Sequence, residues 1–295
     1  PNIPGEKIDL GGGHVKDPMV GRHDWICSFD LNSLYPHLIM QYNMSPETVL
    51  PEKIPGVSPD TILDGFVNPQ PEFSMTAHGQ LFRKDKRGFI PEMIEKLYAE
   101  RKIVKQQQLS AEQKLVDIDK DASIQERYQL EETIATCENQ QMAIKILMNS
   151  LYGALGNIHF RYFDIRIADA ITSSGRLSIR WAEKNINQYM NKLTGTEDVD
   201  YVIAIDTDSV YIKVSDLVNK YTPEDPVKFL DLVCAEKFEP VIKEGYDQLA
   251  TVMSAYENKM VMAREVIADR GIWTAKKRYI LNVWDSEGVR YNEPK

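Results

Sequence analysis

Two carboxylates one residue apart, Asp206 and Asp208 in Ile205-Asp206-Thr207-Asp208-Ser209, sit inside an apolar alternating run from Tyr201 to Val214. The alternation predicts a strand or hairpin, where acid side chains are costly unless a cation compensates them. A divalent metal is the first candidate. Magnesium suits a carboxylate pair because it prefers oxygen ligands and completes its shell with water and substrate phosphates. A third acid, Asp30, closes the apolar strand Trp25-Ile26-Cys27-Ser28-Phe29. After it, Leu31-Asn32-Ser33-Leu34-Tyr35-Pro36 predicts a sharp turn at Tyr35-Pro36, with the N–H groups of Ser33 and Leu34 free to cradle phosphate oxygens. Taken alone, the segment reads equally well as a strand ending in an ordinary turn with a surface aspartate.

Cations for a phosphate are available at helical spacing. Lys145, Asn149 and Tyr152 fall at i, i+4 and i+7, and Arg101 and Lys105 at i and i+4 on a preceding helix. Antiparallel packing of the two helices would converge Arg101, Lys105 and Lys145 into a clamp. The alternative is two solvated faces with ordinary salt links to acids such as Glu95 or Glu100.

These residues need a scaffold. Residues 92–119 and 125–151 are rich in helix formers, with apolar residues at three and four spacing, and are separated by an acidic junction at Asp117–Asp121. They predict a helical pair inserted into a sheet domain, after which Gly153 and Gly156 return the chain to mixed structure. Further helices are expected at about 168–192 and 225–253, a hairpin over Tyr201–Val214, and strands from Lys259 to Trp284. Prolines and glycines make 51–71 loop-rich, and 83–88 reads as a charged turn.

With 295 residues, 43% of them hydrophobic, the chain can bury one large core or two smaller ones. No stretch of about 18 apolar residues suggests a membrane span, and the start Pro-Asn-Ile-Pro reads as an excised or processed end without a signal peptide. Cys27, Cys137 and Cys234 have no CxxC spacing, which argues against disulfides and structural zinc and for a reducing, cytoplasmic setting. A net charge of −9 argues weakly against nucleic acid, but local Lys and Arg patches decide that question.

Taken together, the segments 30–36 (DLNSLYP), 145–153 (KILMNSLYG) and 206–209 (DTDS) resemble motifs A, B and C, in that order, of family B DNA polymerases. The surrounding text, with Ser45-Pro46-Glu47-Thr48, LYGALGN at 151–157 and KKRYILNVWD at 276–285, is similar to the replicative polymerases of large tailed bacteriophages. The resemblance implies an α+β fold: an antiparallel-sheet palm at 1–90 and 157–295, with an α-helical hairpin of fingers at 91–156. The family's exonuclease and thumb domains have no counterpart in the chain, so a separate chain or segment supplying them is an expected partner.

The resemblance further implies template-directed addition of dNTPs to a primer 3'-hydroxyl by two magnesium ions about 3.5–4 Å apart, for which manganese can substitute. Asp30 and Asp208 would hold the metals, Asp206 and Leu31 would complete the metal set, and Glu265 would support it. The dNTP would meet Ser33, Leu34, Tyr35, Arg101, Lys105, Lys145 and Asn149, with Tyr35 under the sugar, rejecting a 2'-hydroxyl. Tyr152 and Gly153 would adjoin the nascent pair, and Lys276, Lys277 and Arg278 would follow the primer-template groove. Gly11–Val15 resembles a template-contacting turn. A sliding clamp and other replisome proteins, within an infected bacterial cytoplasm, are implied partners and setting.

The chain departs from the family where Ala204-Ile205 replaces the usual Tyr-Gly before DTDS, and where His37 replaces a small Ser, which puts primer handling in question. Two rivals stand beside this reading. One is a catalytically silent, polymerase-like DNA-binding scaffold, and the other is a metal-dependent nuclease or glycosyltransferase that uses only the DxD pair.

Overall fold

Apolar side chains on both faces of one strand set the architecture. In the computed structural model, which describes residues 11–117 and 123–295, β1 (Gly21–Leu31) buries Ile26 on one side and Cys27, Phe29 and Leu31 on the other. The opening residues Pro1–Pro4 and most of the acidic junction at 117–121 lie outside the described residues. After β1 come α1 (Leu34–Tyr42), β2 (Val49–Lys53), α2 (Pro59–Leu63), β3 (Ser74–Met75) and β4 (Gln80–Phe82). Two long helices follow, α3 (Phe89–Asp117) and α4 (Ile124–Leu155), then α5 (Ile165–Thr194). The hairpin β5 (Val202–Asp206) and β6 (Ser209–Lys213) leads to α6 (Ser215–Tyr221), α7 (Pro226–Val233) and α8 (Glu239–Val252). The chain then forms β7 (Met262–Ala275), β8 (Arg278–Ser286) and β9 (Val289–Arg290).

Six strands form one sheet in the order β5-β6-β1-β7-β8-β9, with every neighbouring pair antiparallel, and β2, β4 and β3 form a small second sheet. The fold is therefore α+β, as expected. The main core lies between the large sheet and the helices, centred on α5, whose Ile167, Ile171, Leu177, Ile179 and Ile186 are buried at helical spacing. On the opposite face a smaller cluster gathers Ile26, Ile203, Ala204, Tyr211 and Trp273. Ala204 belongs to this second cluster and Ile205 to the main core, so the residues before the DTD acids are packing positions on opposite faces of β5. Cys27, Cys137 and Cys234 are buried free thiols. No helix among the described residues is long and apolar enough to cross a membrane.

Three boundaries differ from the sequence-based expectation. The chain turns at Asn32-Ser33 rather than at Tyr35-Pro36, because helix α1 begins at Leu34 and Pro36 fits its first turn, where a missing N–H costs nothing. Helix α4 runs through Gly153 and ends at Leu155, capped by Gly156. The helix expected over 225–253 is interrupted by a π turn, Cys234–Phe238, which joins α7 to α8. His37, on α1, is buried edge-on against Tyr98 of α3 at 4.7 Å, and its Nδ1–H donates to the Ser33 carbonyl at 3.0 Å. The imidazole at the departure position is thus a strut between α1 and α3, and burial keeps it neutral by lowering its pKa.

A second buried histidine sets an acid limit on stability. His78, in the β3–β4 turn, has its Nδ1 at 3.2 Å from the Ser173 hydroxyl, and its Nε2 is 3.6 Å from Asp169, too long for a hydrogen bond. Burial draws its pKa down to about 4 even though the Asp169 charge opposes this. The unfolded chain takes up the proton near pH 6.5 and the native protein only near 4, so stability falls as pH drops through that window. Urea unfolding is expected to show about 2 kcal/mol less stability at pH 4.5 than at 6.5 from this residue alone. His78→Asn should flatten that part of the profile. An unchanged slope would refute the assignment.

Candidate active site

Strand register brings the acids together. In the β1–β6 ladder Asp30 lies opposite Ser209, whose hydroxyl donates to the Asp30 carboxylate at 2.6 Å, while the Leu31 N–H donates to the Asp208 carbonyl at 3.0 Å. Asp208 is therefore locked to the end of β1 by backbone, and Asp30 by a side-chain hydroxyl. Asp206 ends β5, and the two-residue turn Thr207-Asp208 reverses the chain. Thr207 adopts φ 58°, a left-handed conformation that a β-branched residue enters only under constraint. The constraint is visible: its N–H donates to the His14 carbonyl at 2.9 Å, and Val15 bridges Asp206. Gly13 lies so close that a Cβ there would be 2.7 Å from the Thr207 methyl. Arg176 of α5 holds this segment from below by donating to the Gly11 and Gly12 carbonyls.

The electrostatics single out Asp208. Burial first, then the neighbouring Asp30, Asp206 and Glu265 charges, push its carboxyl up to about 6. Asp30 is raised by burial against the lowering effects of the Ser209 hydroxyl and Lys145, and Glu265 is raised by burial, Asp30 and Glu287. Carboxylates pressed together in this way are relieved by a cation. Among the described residues, no group of three His, Cys, Asp or Glu side chains forms a complete cage. Asp30 and Asp208, both half-buried, are oxygen donors of the kind magnesium prefers, with water and phosphate oxygens completing its shell.

A cleft of about 430 Å³ runs past Asp30, Asn32, Glu265, Arg264 and Lys105, and an adjoining one of about 340 Å³ shares Asn32 and Lys105 and reaches Arg101. Ser33 has φ 44° and caps α1 through its backbone, and Leu34 opens the helix, so their N–H groups have no intrahelical acceptor. On α4, Lys145 and Asn149 are exposed, and Lys145 lies close enough to Asp30 to act on its carboxyl. Arg101 reaches from α3 to Gln141 of α4 at 3.3 Å. Glu95 pairs with Lys259 and Arg87, and Glu92 with Lys96. Among the described residues no carboxylate forms an ion pair with Arg101, Lys105 or Lys145, while Glu95 pairs with Lys259 as the alternative of ordinary salt links expects. Tyr35 and Tyr152 bring α1 and α4 together, their ring centroids 4.7 Å apart, and the face of Gly153 opens onto space.

The basic run behaves differently from a free patch. Lys277, at the β7–β8 turn with φ 61°, pairs with Asp206 at 3.0 Å, Lys276 pairs with Asp17 at 3.1 Å, and Arg278 is exposed. Sequence reasoning missed the Lys277–Asp206 pair, the Ser209 hydroxyl on Asp30, and the role of Arg264. Arg264 precedes Glu265 and is buried between Asp285 of β8 and Asp231 of α7, which fixes β7 beside the acids. The adjacency of Arg264 to a candidate acid was the one signal for it.

A family model described as DNA polymerase family B matches residues 2–290. The DNA-directed DNA polymerase of Escherichia phage RB69 is 35% identical over 337 residues, which cover 96% of this chain and 37% of that protein. That of Enterobacteria phage T4 is 36% identical over 344 residues, with 98% and 37% covered. DNA polymerase 1 of Pyrococcus abyssi (strain GE5 / Orsay) is 29% identical over 226 residues, with 75% and 24% covered. The chain thus spans a little over a third of the length of its phage relatives.

Proposed function

The chain belongs to DNA polymerase family B, and from that premise we propose that it carries the nucleotidyl-transfer centre of a DNA polymerase, with 1–90 and 157–295 as palm and 91–156 as fingers. Its substrates are primer-template DNA and dNTPs. Exonuclease and thumb segments, on this or another polypeptide, and a sliding clamp are its partners. The observation that carries the reading is that Asp208 and Lys145 both lie close enough to Asp30 to interact electrostatically with its carboxyl, beside adjoining clefts lined by Asp30, Lys105 and Arg101.

Asp30 and Asp208, with Asp206 and the Leu31 backbone nearby, would hold two magnesium ions, which supply activation of the primer hydroxyl and charge neutralisation on the leaving pyrophosphate. The chain's own residues do the positioning. The N–H groups of Ser33 and Leu34 donate to phosphate oxygens from below, while Lys145, Arg101 and Lys105 meet them from above and Asn149 adds a neutral donor. Tyr35 lies under the sugar, Tyr152 and Gly153 face the nascent pair, and Glu265 adds negative charge behind the metal site. Lys276, Lys277 and Arg278 meet the duplex backbone, with Lys277 exchanging Asp206 for phosphate. No protein nucleophile takes part.

The test is incorporation of a templated dNTP onto a labelled primer. Extension is expected with magnesium, is retained with manganese, and is abolished by EDTA. Template-independent addition, or extension that survives chelation, would refute the proposal.

A further inference from the structure

Gly175 stands in the middle of a 30-residue helix, α5, where glycine is a poor choice for helix stability and where no left-handed backbone calls for it. Its reason is spatial. It is buried, and a Cβ at this position would lie 3.2 Å from Cε1 of Tyr35, 3.5 Å from Leu34 and 3.7 Å from Leu38. Carbon atoms pack comfortably at about 3.5–4.0 Å, so the Tyr35 ring edge occupies room that only glycine leaves. The ring also meets Tyr152 of α4, at 4.7 Å between centroids. Tyr35 itself is on the first turn of α1, two residues after the left-handed Ser33, so its backbone is held by the same turn that follows Asp30. The ring thus contacts both α5 and α4, and the bare backbone of Gly175 sets how closely it approaches α5.

We propose that Gly175 is a positioning residue for sugar discrimination, setting the depth of the Tyr35 ring beneath the incoming nucleotide. This inference rests on the reading of the cleft as a dNTP site with Tyr35 under the sugar. A methyl group at 175 displaces the ring by a few tenths of an ångström away from α5. That direction leads toward α4, whose Lys145 and Asn149 face bounds the nucleotide slot. Leu34 and Leu38, at 3.5 and 3.7 Å, would be in ordinary contact with the same methyl, so the crowding falls on the Tyr35 ring alone. Repulsion between atoms in contact rises steeply with approach, so a displacement too small to exclude a deoxyribose is felt strongly by a 2'-hydroxyl.

The experiment measures single-nucleotide incorporation of dCTP and CTP opposite a templating G, as a ratio of kcat/KM, in wild type, Gly175→Ala, Tyr35→Ala and the double variant. Gly175→Ala is expected to raise the dCTP:CTP ratio about 3–10-fold, with a several-fold higher KM for dCTP. The double variant should match Tyr35→Ala within about twofold, because the added methyl then faces the space that the ring vacated. That vacated space also lets the double variant fold if the single one is impaired. A ratio in Gly175→Ala that falls or stays within twofold of wild type overturns the proposal, as does an equal shift in the absence of Tyr35. A wild-type protein without templated incorporation, or a Tyr35→Ala variant with undiminished discrimination, instead overturns the reading of the site, and the proposal with it.

Discussion

Asp208→Asn is expected to lower primer extension by about 10³-fold or more, equivalent to about 4 kcal/mol of barrier, while leaving a protein that is folded and more stable than wild type at neutral pH. Both effects come from one carboxylate. Asp208 is forced against Asp30 because Leu31 and Ser209 lock the ends of β1 and β6 together. On the proposed reading, removing its charge removes a metal ligand that Asp30 alone would not replace. The same charge is a burden on the metal-free fold, since its carboxyl rises from 3.8 to about 6. Below about pH 4 both native and unfolded chains are protonated and the burden vanishes. Above about pH 6 both are ionised and it is fully present. The asparagine variant should therefore gain on the order of 1–3 kcal/mol at pH 8 in EDTA, and little at pH 4. Thermal unfolding at the two pH values measures this, at roughly 2–4 °C per kcal/mol. A variant destabilised at pH 8, or one that still extends primers, would contradict the assignment. Stability sacrificed at a site that works is a recurrent pattern in enzymes.

The sequence made the acids legible because they break a rule: carboxylates do not belong at the ends of apolar strands without a reason, and Asp30, Asp206 and Asp208 each stood in such a context. The helix pair was legible for the opposite reason, since long runs of good helix formers obey one periodicity. What stayed hidden depends on register across distance. The Ser209 to Asp30 hydrogen bond spans 179 residues, and Lys277 reaches Asp206 only because two hairpin turns end at the same edge. The strap from Gly11 to Lys16 along β5 could be suspected as a template turn, but its hold on Thr207 through the His14 carbonyl is a backbone bond with no side-chain signature. Two of the three boundaries missed were set by punctuation residues. Pro36 looked like a break and is a first-turn residue, and Gly153 looked like a stop but is carried along by the helix around it, which Gly156 ends. Roles assigned through the family resemblance, such as those of Asn149 and Arg278, rest on exposed side chains without partners that would betray them.

Among the cations, Lys145→Ala is expected to have the largest effect, a loss of about 10²-fold in kcat/KM for dNTP with primer-template affinity within twofold of wild type. Lys145 is exposed, pairs with no carboxylate among the described residues, and yet is close enough to Asp30 to pull that carboxyl's pKa downward against burial. It is therefore the cation of α4 that looks across the cleft at the acids, where a triphosphate bridging the two sides would lie. Arg101 is partly committed to Gln141, and Lys105 lines the cleft from α3, so neither replaces it in position. If, as proposed, α4 is a fingers helix whose charge meets phosphate only on closure, Lys145 should act on the nucleotide step and not on DNA binding, which separates it from the basic run at 276–278. Lys145→Arg should recover part of the loss because charge is kept while reach and geometry change. Steady-state incorporation and a separate DNA-binding isotherm distinguish the cases. Equal losses in DNA affinity and in dNTP use would instead assign Lys145 to the duplex, and the clamp would then rest on α3 alone.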